Sequence, residues 1–217
     1  MSVDKILEEI VSKKLYVITA IFLLGLFIYS NVFTAPFVFD DKQNISGNFA
    51  LRNYDTLIDW WGWYKTRIVG YLTFGLNYQM GGLNVVGYHI VNLLIHIVNS
   101  LLVWRLILVT FATPKLKESQ LVKSKELIAL FVALIFLTHP IQTQAVTYIV
   151  QRFALLATLF FLLSLYLYVK SRISKNIYFF IGAMISMLLA VLSKEFAFTL
   201  PLMILAYELY FFEGISG

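Results

Sequence analysis

Two adjacent carboxylates, Asp40 and Asp41, follow the first long apolar segment of the chain and lie just beyond Pro36. Charged residues make up only 13% of the sequence, so a pair of acids at the edge of an apolar segment calls for an explanation. Such a carboxylate can act as a general base toward a hydroxyl group, ligate a metal ion, or remain a solvated part of a loop. Because neighbouring side chains of an extended chain point to opposite sides, only one of the two needs to face a reaction. We take the pair as the candidate reactive centre, and an exposed acidic turn is the alternative.

Three cations lie close to the ends of other apolar segments: Arg67, Arg152 and Lys194. At a membrane surface such a side chain either extends toward lipid phosphates or neutralises the charge that develops on a phosphate leaving group. His139 stands directly before Pro140, where it either caps a helix end or contacts a substrate. The sequence therefore holds groups for general-base chemistry and for phosphate binding, in separate segments.

A line of polar residues runs along one predicted helix. Its members are His89, Asn92, His96 and Asn99, at spacings of 3, 4 and 3, which place all four on one helical face. Polar side chains at membrane depth are costly and tend to be functional, which favours a role for His96 in a site. Hydrogen-bonded packing between helices explains the line at least as well, and both interpretations stay open.

The elements that must position these groups are apolar. Of 217 residues, 60% are hydrophobic and the mean hydropathy is +0.80, which is more apolar surface than a soluble domain of this size can hide. No charge occurs for 25 residues between Lys14 and Asp40, or for 37 residues between Arg67 and Arg105. Basic loops of a membrane protein explain the net charge of +5, so nucleic-acid binding is not indicated. The absence of cysteine excludes disulfides and thiolate metal sites.

The hydropathy pattern predicts a single all-α, polytopic membrane domain over residues 1–217 with about six transmembrane helices. These helices are expected at 15–33, 85–111, 127–138, 153–169, 176–192 and 196–212. An interfacial helix is expected at 67–80, and Trp60, Trp61 and Trp63 are expected at the level of the lipid headgroups. The segment 141–151 is too polar to face lipid and too apolar for a free loop, so we predict that it re-enters the membrane or lies along its surface.

The lysines assign the two sides of the membrane. Positive residues cluster in 113–126 and 170–175, so the positive-inside rule places these loops and the N-terminus in the cytoplasm. The acids, the cations and His139 described above then converge on the other face, together with Glu195. We therefore expect the active face to be outside or lumenal.

Four motifs carry a family resemblance. They are Phe39-Asp40-Asp41, the run from Arg67 to His96 with Gly81-Gly82-Leu83-Asn84 inside it, the run His139-Pro140-Ile141-Gln142-Thr143-Gln144 continuing to Arg152, and Ser193-Lys194-Glu195. Together they resemble the membrane part of the transmembrane and tetratricopeptide-repeat O-mannosyltransferases and their prokaryotic relatives, which are glycosyltransferases of the GT-C fold. The resemblance covers residues 30–212, so a GT-C-like arrangement is expected.

The resemblance implies an enzyme that moves a hexose, expected to be mannose, from a polyprenyl-phosphate donor to a hydroxyl acceptor such as a protein Ser or Thr, or a glycan. Asp40 would activate the acceptor with support from Asp41, and polyprenyl phosphate would leave with inversion at the anomeric carbon. The donor phosphate would be held by Arg67, His139, Arg152 and Lys194. Further substrate contacts would come from His89, His96, Gln142 and Glu195. No metal ligand and no certain cofactor are implied, a divalent cation stays open, and the expected location is a prokaryotic plasma membrane or an ER-type membrane.

The chain departs from the family pattern at three places. Ile68 replaces a proline common after the arginine, and acids common near Gln144 and Ala154 are missing. These departures favour a second interpretation, a truncated or accessory membrane protein that binds polyprenyl lipid or partner helices without catalysis. The convergence of acids and cations on one face favours the enzyme.

The distribution of lysines generates a topological prediction. Cysteines introduced singly at Ser46 and Ser119 should react with a membrane-impermeant thiol reagent from opposite sides of the membrane, because the first lies in the outer loop and the second in a lysine-rich inner loop. Labelling of both positions from one side would refute this topology. The natural chain has no cysteine and provides the blank.

Overall fold

The computed structural model describes residues 13–52 and 66–213, and every regular element within them is helical. The helices are α1 Lys14–Ile28, α2 Ile68–Gly81, α3 Val85–Thr110, α4 Lys125–Thr138, α5 Thr143–Thr147, α6 Arg152–Ser174, α7 Ile177–Val191 and α8 Leu200–Glu208. Two short 3-10 turns, Pro140–Gln142 and Ile149–Gln151, flank α5. The expected headgroup-level tryptophans, 60, 61 and 63, lie outside the described residues, as does most of the charged N-terminal lead.

The all-α prediction is confirmed, whereas the prediction of about six transmembrane helices is not confirmed. Among the described residues, three segments are long and apolar enough to cross a membrane: Val85–Thr110, Ile149–Ser174 and Glu195–Phe212. Helices α1 and α7 have 15 residues each. At 1.5 Å per residue such a helix rises about 22 Å, short of the ~30 Å hydrocarbon core.

Local sequence explains where several helices begin and end. Asn84 caps α3, because its side-chain oxygen accepts a hydrogen bond from the backbone N–H of Val86. Helix α2 ends at Gly82, whose φ of +58° is a conformation that glycine adopts without a steric penalty. Helix α4 ends before Pro140, which cannot continue its hydrogen-bond pattern.

Helix α3 lies at the centre of the described structure. It packs against α1, α4 and α6, and α6 packs in turn against α7. One apolar core lies between α1, α3 and α4, and includes Ile21, Leu93, Ile97, Ala133 and Leu137. A second core joins α2 to the starts of α3 and α6 and to the loop after α1; it consists of Ile45, Leu51, Tyr71, Phe74, Tyr88, Ile149, Val150 and Phe153. The helix expected at the interface is therefore packed on the bundle through one face.

Close packing of α2 on α6 generates a stability prediction. A Cβ atom added at Gly70 would overlap the ring of Phe153, whereas one added at Gly81 would meet nothing within 4 Å. Gly70→Ala should lower the free energy of unfolding by about 1–3 kcal/mol, because the ring has to move within a filled core. Gly81→Ala, the same change in the same helix, should leave it nearly unchanged. Thermal unfolding of the two variants in detergent measures the difference, and equal midpoints would contradict this packing.

Candidate functional site

Asp41 connects the loop after α1 to the turn before α6. Its side chain is buried, and its two carboxylate oxygens accept hydrogen bonds from the backbone N–H groups of Val38, at 3.1 Å, and Val150, at 2.7 Å. Burial raises the pKa of the Asp41 carboxyl above its ordinary value, and the two N–H donors oppose that shift. Both oxygens are occupied by the protein, so Asp41 holds two segments together.

Asp40 is exposed, in contrast to its neighbour. Its backbone N–H donates a 2.8 Å hydrogen bond to the hydroxyl of Tyr148, and its carbonyl accepts one from Asn44. The preceding residue, Phe39, has a φ of +43°, which is uncommon for a residue with a bulky side chain and is a source of local strain. The backbone at Asp40 is thus held in place while the residue stays exposed to solvent.

The turn before α6 also reaches Lys194. The Lys194 ammonium donates a 3.1 Å hydrogen bond to the side-chain oxygen of Gln151. Burial, together with the charge of Arg67, lowers the pKa of Lys194 below its ordinary value. Within the segment Tyr148–Gln151, Tyr148 contacts Asp40, Val150 contacts Asp41 and Gln151 contacts Lys194. We call this segment the site turn. It brings three of the predicted site residues to one end of the bundle.

Arg67 and Glu195 form an ion pair at the same end. Two guanidinium nitrogens of Arg67 bond the two carboxylate oxygens of Glu195, at 3.0 and 3.2 Å, and both side chains are partly exposed. The backbone N–H of Val69 also donates to the carbonyl of Leu192, which joins the start of α2 to the loop after α7. This pair places a cation beside Lys194, but much of its charge is already neutralised.

Arg152 is completely buried, although the sequence analysis placed it among the surface cations. Its guanidinium donates to the side-chain oxygens of Asn92 and Asn77 and to the carbonyls of Thr73 and Tyr88. It also lies over the ring of Phe74, at 4.5 Å from the ring centre. Since its exposed fraction is zero, Arg152 joins α2, α3 and α6 from inside the bundle and does not face the surface around Asp40.

The polar line of α3, formed by His89, Asn92, His96 and Asn99, connects this helix to neighbouring segments. All four members are buried, and each donates to a backbone carbonyl of another segment: His89 to Ala35, Asn92 to Ile149, His96 to Leu137 and Asn99 to Leu155. The packing interpretation of the line is therefore the one that these contacts support. His89 and His96, expected as substrate contacts, do not reach open surface.

His139 and Gln142 lie on another part of the surface. The ring nitrogen Nδ1 of His139 accepts a hydrogen bond from the backbone N–H of Ile141, so His139 caps the turn that follows α4. Both residues line a cavity of about 300 Å³ between α3 and α4 whose other walls are apolar, formed by Val103, Val132, Ile135, Phe136 and Ile141. No group of three or more His, Asp or Glu side chains placed to hold a metal ion occurs among the described residues.

Several residues of this region were not singled out from the sequence. Tyr148 and Gln151 touch Asp40 and Lys194, and Thr73 and Asn77 surround Arg152. The polar character of 141–151 was the available signal for the first two residues. Thr73 and Asn77 were part of the motifs that carry the resemblance, but a motif does not show which cation its polar residues hydrogen-bond.

Comparison with known proteins found relatives of one kind. The chain is 32% identical over 162 residues to protein O-mannosyl-transferase F38B6.6 of Caenorhabditis elegans, covering 69% of this chain and 22% of that protein. It is 33% identical over 166 residues to protein O-mannosyl-transferase TMTC4 of Homo sapiens, covering 68% and 22%. For protein O-mannosyl-transferase TMTC3 of Mus musculus the identity is 31% over 204 residues, covering 87% and 21%.

These relatives confirm the resemblance inferred from the motifs. The chain spans about a fifth of the length of the curated relatives it matches. No protein-family model matches the chain, and no solved structure matches it.

The buried position of Arg152 generates a second stability prediction. Arg152→Met removes the donor of four hydrogen bonds and leaves the buried oxygens of Asn92 and Asn77 without it, so the free energy of unfolding should fall by about 3 kcal/mol or more. Lys194→Met, which removes a partly exposed cation with one such hydrogen bond, should lower it by at most about 1 kcal/mol. Thermal unfolding of both variants in detergent makes the comparison. Equal shifts would show that Arg152 is not the central buried contact.

Proposed function

This chain is related in sequence to the protein O-mannosyl-transferases over about two thirds of its length, and from this premise we propose that it acts as a glycosyltransferase at the end of the bundle that carries Asp40. The proposed reaction moves a hexose, with mannose as the expected sugar, from a polyprenyl-phosphate donor to the hydroxyl of a protein Ser or Thr. The proposed site faces the outer or lumenal side of the membrane.

The observation that carries this proposal is the contrast between two adjacent carboxylates. The site turn holds the Asp41 carboxylate in the interior through Val150 and leaves the neighbouring Asp40 carboxylate exposed. A general base has to reach the proton that it removes, so Asp40 is the acid available for this chemistry. Asp41 fixes the backbone from which Asp40 projects.

In the proposed reaction Asp40 accepts the proton of the acceptor hydroxyl as the oxygen forms a bond to the anomeric carbon. The bond between that carbon and the phosphate oxygen breaks, and its electron pair leaves with the polyprenyl phosphate. Attack from the side opposite the leaving group inverts the configuration at the anomeric carbon. The negative charge on the leaving phosphate needs a nearby cation, because such preorganised charges are a large part of catalysis.

Lys194 is the cation best suited to this role in the proposal. It contacts the same turn as Asp40 and carries one hydrogen bond to a neutral amide, so its charge has no counter-ion in that contact. Arg67 contributes less, because its two bonds to Glu195 already engage its charge. Arg152 acts indirectly, because it donates a hydrogen bond to Asn92. The side-chain NH₂ of Asn92 in turn donates to the carbonyl of Ile149 in the site turn.

A second candidate function rests on the apolar cavity beside His139. Its walls from α3 and α4 are almost entirely apolar, with Gln142 and His139 at one end. This chemistry suits a long apolar chain next to a polar head, so binding of a polyprenyl lipid without transfer is the alternative. The two functions differ in whether Asp40 is needed.

The prediction concerns the acidic pair. Asp40→Asn keeps the shape of the side chain but cannot take up the proton, so transfer of labelled mannose from a polyprenyl-phosphate donor should fall by about 10²–10⁴-fold. Its unfolding midpoint should stay near that of the natural protein, because the side chain is exposed. Membranes that contain the full chain, in a preparation of demonstrated transfer activity, provide the assay.

Asp41→Asn is the matched control, with the same change one residue on. Its amide NH₂ would face one of the two backbone N–H donors, so the free energy of unfolding should fall by about 1–3 kcal/mol. Full transfer activity in Asp40→Asn would eliminate Asp40 as the base and favour the lipid-binding function. Equal loss of activity in both variants at unchanged stability would point to a shared role of the pair.

A further inference from the structure

A polar pocket lies at the opposite end of the bundle from Asp40. It has a volume of about 230 Å³ and lies between α3 and α6, lined by Arg105, Leu108, Val109, Tyr166 and Lys170. Helix α3 starts next to the loop that carries Asp40 and α6 starts at the site turn, so the last turns of both helices are at the far end. None of the residues that line this pocket takes part in the proposed transfer reaction.

Two cations from different helices share this pocket. Arg105 lies five residues before the end of α3, and Lys170 lies four residues before the end of α6. At 1.5 Å per residue both lie about 6–8 Å inside the ends of segments that are suited to crossing a membrane. A long basic side chain at this depth can place its charge at the level of the lipid headgroups.

Neither cation is neutralised by the described part of the protein. Aromatic rings lie near both charges: the Arg105 guanidinium lies 5.6 Å from the ring centre of Trp104, and the Lys170 ammonium lies 4.1 Å from that of Phe179 and 5.8 Å from that of Tyr166. No acidic residue lines the pocket. Arg172, only two residues beyond Lys170, instead forms an ion pair with Glu208. The end of α6 therefore carries one compensated cation and, facing the pocket, one uncompensated cation.

We propose that this pocket binds the phosphate-bearing headgroup of an anionic membrane lipid. Arg105 and Lys170 would contact the phosphate from two sides, and the Tyr166 hydroxyl is a further donor for phosphate or glycerol oxygens. Basic pockets between transmembrane helices are typical sites for anionic headgroups. The proposal does not depend on the transfer reaction.

The walls and the size of the pocket favour a lipid over a free phosphate ion. Leu108 and Val109 offer apolar contact for the first part of an acyl chain, which a free ion would not use. The volume is below the ~300–1,000 Å³ of pockets that enclose drug-sized ligands, so the pocket admits a headgroup while the acyl chains lie along the bundle. Both cations also belong to segments expected in contact with lipid.

Native mass spectrometry of the purified full chain in detergent tests this site, with phosphatidylglycerol added as the probe and phosphatidylcholine as the neutral comparison. The natural chain should retain phosphatidylglycerol preferentially. The double variant R105Q/K170Q should bind it about ten- to thirtyfold more weakly, because each basic residue near the surface contributes a few-fold to the attraction. R105K/K170R keeps both charges and should retain most of the binding.

The matched control is K123Q/K175Q, which removes the same charge from exposed positions outside the pocket. It should bind phosphatidylglycerol like the natural chain, and a loss equal to that of R105Q/K170Q would overturn the proposal in favour of general surface attraction. Inorganic phosphate at millimolar concentration should not displace the lipid; displacement would show a small-anion site and overturn the lipid assignment. If R105Q/K170Q elutes as an aggregate in size-exclusion chromatography, the single variant K170Q replaces it in the test. A K170Q protein that binds phosphatidylglycerol as tightly as the natural chain would refute the site.

Discussion

A break in the helical backbone between α4 and α6 creates the constraint on which the Asp40 end of this structure depends. Backbone groups there have lost their regular helical partners, and inside an apolar bundle each needs another one. The polar line of α3 supplies partners: His96 bonds the carbonyl of Leu137 and Asn92 bonds that of Ile149. Asp41 accepts from the N–H of Val150 on the other side. These contacts, together with the apolar packing of Ile149 and Val150, hold the site turn and the residues that it contacts in place.

Arg152 extends this arrangement into the core. A buried cation is costly unless hydrogen bonds and polarizable neighbours surround it, and here two asparagine side chains, two carbonyls and an aromatic ring do so. Because Arg152 begins α6 and its partners lie on α2 and α3, one side chain connects three helices. Each end of the bundle holds an ion pair, Arg67 with Glu195 at one end and Arg172 with Glu208 at the other. At the far end Arg105 and Lys170 also line a shared pocket that has no acidic residue in its wall.

Local sequence patterns accounted for much of the fold. The long apolar runs predicted α3 and α6, and the glycine pair at 81 and 82 predicted the end of α2, because hydropathy and turn chemistry are properties of neighbouring residues. The helix expected at 15–33 was predicted too long, because apolar composition does not show where a helix ends and α1 stops at Ile28. Helix α7 follows its expected bounds closely, but it is too short to count among the candidate membrane spans. The spacing of His89, Asn92, His96 and Asn99 predicted a shared face, and both packing and a site were compatible with it. Only their carbonyl partners separate these alternatives.

The sequence by itself determined the helical class, the apolar character, the family resemblance and the place of two acids beyond the first apolar segment. These follow from composition, period and motif, which need no knowledge of distant contacts. The tertiary structure decided what each polar residue does. Asp40 is exposed and Asp41 buried, Lys194 meets the site turn, and Arg152 lies in the interior although its sequence neighbourhood resembles a surface segment. The physical reason is that burial and pairing of a charge depend on which remote segments close around it, and the residues next to it in sequence do not contain that information.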